Sequence, residues 1–65
     1  MFIGKRIVKR MPTGEEWPGM VVRLLNYEGV NSMYKVQYDN GEEVLFRLIY
    51  DYIKQDLWLE GAEIA

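Results

Sequence analysis

The chain contains no cysteine and no histidine. No disulfide can staple it and a zinc site lacks its usual ligands, so apolar packing alone must hold the fold. The missing thiols fit a reducing compartment. The same two absences remove the common nucleophile and base pairs, and besides tyrosine only Thr13 and Ser32 carry hydroxyls. A hydrolase triad is excluded, and we expect no enzyme. The glycines are scattered among turn sequences with no phosphate-loop spacing, and Glu15-Glu16 and Glu42-Glu43 are adjacent carboxylates that strand geometry sends to opposite faces. No metal and no cofactor is implied. Long hydrophobic runs are also missing, because Arg23, Lys35, Arg47 and Lys54 interrupt every stretch that approaches the ~20 residues needed to span a bilayer. Lys5, Arg6, Lys9 and Arg10 stand where a signal peptide would have its apolar core. A soluble intracellular protein or fragment, with no membrane partner, is the expectation.

What is present suits one small domain over residues 1–65. About half of the residues are hydrophobic (49%), with two tryptophans, five tyrosines and two phenylalanines, a composition unlike that of disordered segments. A chain of this size buries only about 60% of the surface its unfolded form exposes, so its stability margin is thin.

The pattern along the chain is that of short strands. Residues Arg6 to Met11 mix β-branched and charged side chains and predict a first strand, reversed by Pro12, Thr13 and Gly14. Pro18 and Gly19 are expected to bend or bulge the start of a second strand running from about Met20 to Leu25. Asn26 to Ser32 reads as a loop. Met33 to Asp39 alternates cleanly, with Tyr34, Val36 and Tyr38 on one face. Asn40-Gly41 predicts a type I′ turn, and Glu42 to Leu48 returns with Val44, Phe46 and Leu48 on one face. Ile49 to Gln55 has helical spacing for a single turn, and Asp56 to Glu60 extends again. Five short strands with one helical turn before the last predict an all-β fold, a small five-stranded SH3-like, Tudor-like barrel.

Charge is segregated along the sequence. Lys5, Arg6, Lys9 and Arg10 lie early, whereas Asp39, Glu42, Glu43, Asp51, Asp56, Glu60 and Glu63 fill the second half. An acidic half favours a basic partner over nucleic acid, although such segregation can equally be a solvated surface. The rings of Trp17, Tyr38 and Phe46 are expected to converge near the Asn40-Gly41 reversal. Convergent rings can cage a quaternary ammonium group, yet in so small a domain large rings mostly fill the core.

Two stretches carry a more specific signal: Glu15-Glu16-Trp17-Pro18-Gly19-Met20-Val21, and Leu48-Ile49-Tyr50-Asp51-Tyr52-Ile53-Lys54-Gln55-Asp56-Leu57. With Ile3-Gly4-Lys5 and Tyr38-Asp39 they make nearly the whole chain resemble the Spin/Ssty Tudor-like repeat from which spindlins are built. The resemblance implies a nuclear chromatin reader that holds a methylated lysine of a histone-tail peptide in an aromatic cage. It implies cage walls at Trp17 and Tyr38. The family's phenylalanine and a further tyrosine fall on Met11 and near Val44, with Phe46 or Tyr50 as compensating rings. Asp51 and Asp56 fall where acidic residues receive a histone arginine. An aliphatic wall lacks a ring's quadrupole, so Met11 and Val44 thin the implied cage.

The alternative reading is a structural or self-association module with a degenerate cage, in tandem repeats or a homo-oligomer, for which Met11, Val44 and Trp58 would form one apolar patch. Nucleic-acid binding through the early basic residues is disfavoured, since strand alternation divides them between faces.

Overall fold

The computed structural model describes residues 2–61; Glu63, counted above in the acidic half, lies outside them. It is mostly β. Strands β1 (Arg6–Arg10), β2 (Glu16–Asn26), β3 (Met33–Tyr38), β4 (Glu43–Arg47) and β5 (Leu57–Leu59) form one antiparallel sheet in the order β4-β3-β2-β1-β5. A 3₁₀ turn (Gly29–Asn31) lies between β2 and β3, and α1 (Leu48–Ile53) precedes β5. Among the described residues no ladder joins β4 to β5, so the sheet has two edges. Helix α1 packs against both β5 and the 3₁₀ turn. No described helix is long and apolar enough to cross a membrane.

Alternation decides the core. Tyr34, Val36 and Tyr38 of β3 turn to one face, where they meet Ile7, Val21, Leu48 and Leu57, and all seven are buried. Leu48 opens α1 rather than closing β4, yet it still fills the core.

Three local expectations are corrected and one, the second, is refined. First, β2 begins at Glu16, so Pro18 and Gly19 lie within the strand, and the register shifts come later, between Val21 and Arg23 and between Leu24 and Asn26. Pro18 is tolerated because its missing donor faces Asp39, beyond the end of β3, while its carbonyl still accepts from the Asp39 amide at 2.9 Å. Gly19 is needed there because a Cβ would stand 2.7 Å from the Gln37 carbonyl oxygen and 2.9 Å from the Tyr38 Cα. Second, the loop after β2 contains the 3₁₀ turn, held by Ser32: its buried hydroxyl donates to the Gly29 carbonyl and accepts from the Glu28 amide.

Third, the Asn40-Gly41 reversal is not type I′, because only Gly41 has a positive φ (96°) while Asn40 does not. The Gly41 amide donates to the Tyr38 carbonyl, and the Tyr38 amide to the Glu42 carbonyl. This is a type I turn closed by a left-handed glycine. Met11 to Glu15 repeats it bond for bond, with Gly14 at φ 94°. In both turns the side chain before the glycine, Thr13 or Asn40, accepts from the amide of the glutamate after it. Fourth, α1 stops at Ile53 rather than Gln55 and β5 begins at Leu57 rather than Asp56, because a cap intervenes between them; β5 ends at Leu59.

That cap is a Schellman motif. The Gln55 amide donates to the Tyr52 carbonyl and the Asp56 amide to the Asp51 carbonyl, with Gln55 at φ 66° in the left-handed position that glycine usually takes.

Candidate functional site

Both glycine turns and the α1–β5 cap lie at the same end of the sheet. The register sets Lys9 opposite Trp17 and Leu57, and Gly19 opposite Tyr38, so the start of β2 is flanked by the ends of β1 and β3. The Schellman bond ties the backbones of Asp51 and Asp56 together at 3.0 Å, and the Arg10 amide donates to the Asp56 carbonyl at 2.8 Å. An open cleft of about 370 Å³ results, lined by Lys9, Arg10, Met11, Pro12, Gly14, Asp51, Lys54 and Asp56. Met11, Asp51 and Asp56 thus share one cleft.

The two cage rings are adjacent but not open to each other. Trp17 and Tyr38 meet edge to face, with centroids 5.3 Å apart and planes at 81°. Tyr38 is only 3% exposed, so its ring is part of the core. A cation bound equally by both faces would need the rings to separate, whereas Trp17, half-buried, already presents surface. Burial pushes the Tyr38 hydroxyl up to about 12, and the charge of Asp51 adds to the shift, which ties this ring electrostatically to the carboxylate of the cleft.

Asp51 is already partnered. The Lys9 ammonium lies 3.5 Å from its carboxylate, both side chains being more than four-fifths buried, and also donates to the Arg10 carbonyl at 3.0 Å. Lys54 lies 3.7 Å from Asp56 in a more exposed pair. Lys9 is the residue that sequence reasoning missed. Its alternation with Ile7, which puts it on the core face at the strand's end, was the available signal.

Two expected members lie elsewhere, and the convergence of Phe46 with Trp17 and Tyr38 is corrected. Phe46 pairs with Tyr34, four residues back along β3 from Tyr38, or roughly 13 Å at strand rise. Val44 pairs with Val36 on the sheet edge opposite the one that carries Trp58, so Met11, Val44 and Trp58 are spread across the sheet rather than joined. Tyr50 is engaged by the chain itself: the Arg47 guanidinium lies 4.3 Å and the Lys54 ammonium 5.0 Å from its ring centroid. Arg10 similarly covers Trp58 at 5.2 Å.

The early basic residues separate as strand alternation requires. Arg6, on the outer face, grips Asp39 through two bonds of 2.8 and 2.6 Å and Glu60 through a third of 2.7 Å, while Lys9 turns to the opposite face. The hydrogen bonds from Arg6, with its charge adding a smaller part, hold the Asp39 carboxyl below its usual range.

Compared with models of protein families, with curated proteins and with solved structures, the chain matches none.

Proposed function

We propose that this domain is a non-catalytic reader of basic peptides, receiving a cationic side chain, and a methylated lysine of a histone-type tail above all, at the end of the sheet that carries both glycine turns. The observation that carries the reading is the meeting of Met11, Asp51 and Asp56 in one cleft beside the Trp17–Tyr38 pair. The resemblance to Spin/Ssty repeats supports the methylated form of the ligand and a nuclear setting. In this mechanism the ligand's cation contacts Trp17 and Met11 and competes with Lys9 for Asp51, while Asp56 takes a neighbouring basic residue. Each cation–π contact contributes about 0.5 to 2 kcal/mol, so one half-buried ring gives weak, salt-sensitive binding.

Titration of the ¹⁵N-labelled domain with trimethyl-lysine and unmodified histone-tail peptides tests the reading. The Trp17 indole signal and the amides of Met11, Asp51 and Asp56 should move, with the amides of the 3₁₀ turn (Gly29–Asn31) at the other end of the sheet as the internal control. Unmoved signals with every peptide at about 1 mM, the weak end of measurable affinity, would remove it.

One observation favours a second reading, a structural module in which the ring pair only completes the core: the direct edge contact of Trp17 with a buried Tyr38. Under that reading Trp17→Ala lowers the urea midpoint and leaves peptide titrations flat.

A further inference from the structure

The free edge of the sheet at β4 has a self-complementary pattern. The Tyr38 amide donates to the Glu42 carbonyl, which makes that rung hydrogen-bonded, and alternation makes Val36 with Val44 and Tyr34 with Phe46 the next two. The backbone amides of Glu43, Leu45 and Arg47 therefore point away from β3, towards an edge that has no strand beside it among the described residues. Leu45 is 45% exposed and Val44 37%.

We propose that β4 pairs antiparallel with β4 of a second copy of this chain, about a twofold axis through Leu45. In that register Glu43 lies opposite Arg47 of the second copy and Arg47 opposite its Glu43, with Leu45 on Leu45 between them. On the other face Val44 lies opposite Phe46 of the second copy, an apolar pair made twice. The backbone agrees: Leu45 exchanges two hydrogen bonds with its counterpart, and each Arg47 amide reaches the Glu43 carbonyl across the axis. Other centres fail. An axis at Glu43 or Arg47 sets like charges face to face, and an axis at Val44 or Phe46 uses backbone groups already bonded to β3.

The charges are poised for the exchange. Lys35 lies 3.6 Å from Glu43 and can remain beside it, while Arg47 gives up a single 3.3 Å bond to Asn31 and keeps its guanidinium over Tyr50. A five-residue edge spans about 17 Å and covers less than the roughly 800 Å² per partner typical of stable complexes, so the dimer is weak and concentration-dependent. It depends on neither reading of the Trp17 end, because Leu45 belongs to the edge and not to that cleft.

Diffusion NMR and ¹⁵N spectra recorded from about 0.05 to 2 mM, spanning the weak-affinity range, test this interface. The expected result is slower diffusion at high concentration, with shifts centred on Glu43, Leu45 and Arg47. Leu45→Lys, which sets two ammonium groups on the axis, and E43R, which opposes two arginines, should each abolish the change while spectral dispersion shows an intact fold. The double variant E43R/R47E should restore it. A monomer at the highest concentration overturns the proposal. Association that survives Leu45→Lys, or shifts centred on Leu57 and Leu59 of the other edge, does so too.

Discussion

Tyr38 carries two burdens. Its ring closes the core beneath Gly19, and its hydroxyl lies within reach of the charge on Asp51. With its folded value at about 12 against an ordinary value of 10.0, the phenol stays protonated in the native state at pH values where the unfolded chain has released the proton. The native state then binds more protons, so stability falls as pH rises. The contribution is fully present below about pH 10 and is lost as pH climbs through 12. Urea titrations at pH 9 and pH 11 should show a larger alkaline loss for the wild type than for Tyr38→Phe, which has no proton to lose. Equal losses would mean that the hydroxyl reaches water and that Trp17 does not seal it.

Among the elements, the α1–β5 cap decides whether Asp51 and Asp56 line one cleft. Gln55 holds the left-handed conformation that a Cβ disfavours, so Gln55→Gly should raise stability by about 1 kcal/mol, read as a higher urea midpoint with an unchanged slope. A midpoint that fails to rise would show that the side chain compensates for the backbone. The cap also explains what was legible in the sequence. Tyr34, Val36 and Tyr38 announced their strand because one face is buried and the period is two. The Asn40-Gly41 reversal was equally plain, but its turn type was not, since glycine serves both geometries and the deciding hydrogen bonds are made by Tyr38 and Glu42. Pro18 and Gly19 read as breakers because the sequence could not show that the donor lost at Pro18 falls past the end of β3. The approach of Asp51 to Asp56 was hidden behind a glutamine in a glycine's place. The pairing of Lys9 with Asp51 depends on strand order, which no local pattern carries.

For the molecule as a whole, seven buried apolar and aromatic side chains among the described residues form the core, and a chain of sixty-five residues without cysteine has no disulfide to reinforce it. At about 0.05 to 0.15 kcal/mol per residue the total stability is on the order of 3 to 10 kcal/mol, whereas truncating one buried leucine removes about 2 to 5. The two ranges overlap, so a single core residue can decide whether the chain folds. Leu57 is the sharpest case, because it is buried at the first position of a three-residue strand whose neighbours are the cap and Lys9. Ile7, equally buried, lies on the better-anchored β1, which has a strand on both sides. Leu57→Ala should therefore leave the domain largely unfolded at 25 °C by far-ultraviolet circular dichroism, while Ile7→Val, at about 0.5 to 1.5 kcal/mol, should fold with a lowered urea midpoint. A Leu57→Ala variant that melts within a few degrees of wild type would mean that β5 and the cap are peripheral to folding. Asp56 would then be free to move away from Asp51 without cost, and the cleft would lose the rigidity that the proposed peptide binding relies on. The two Leu57 outcomes thus separate a pre-formed cleft from one that a ligand must assemble.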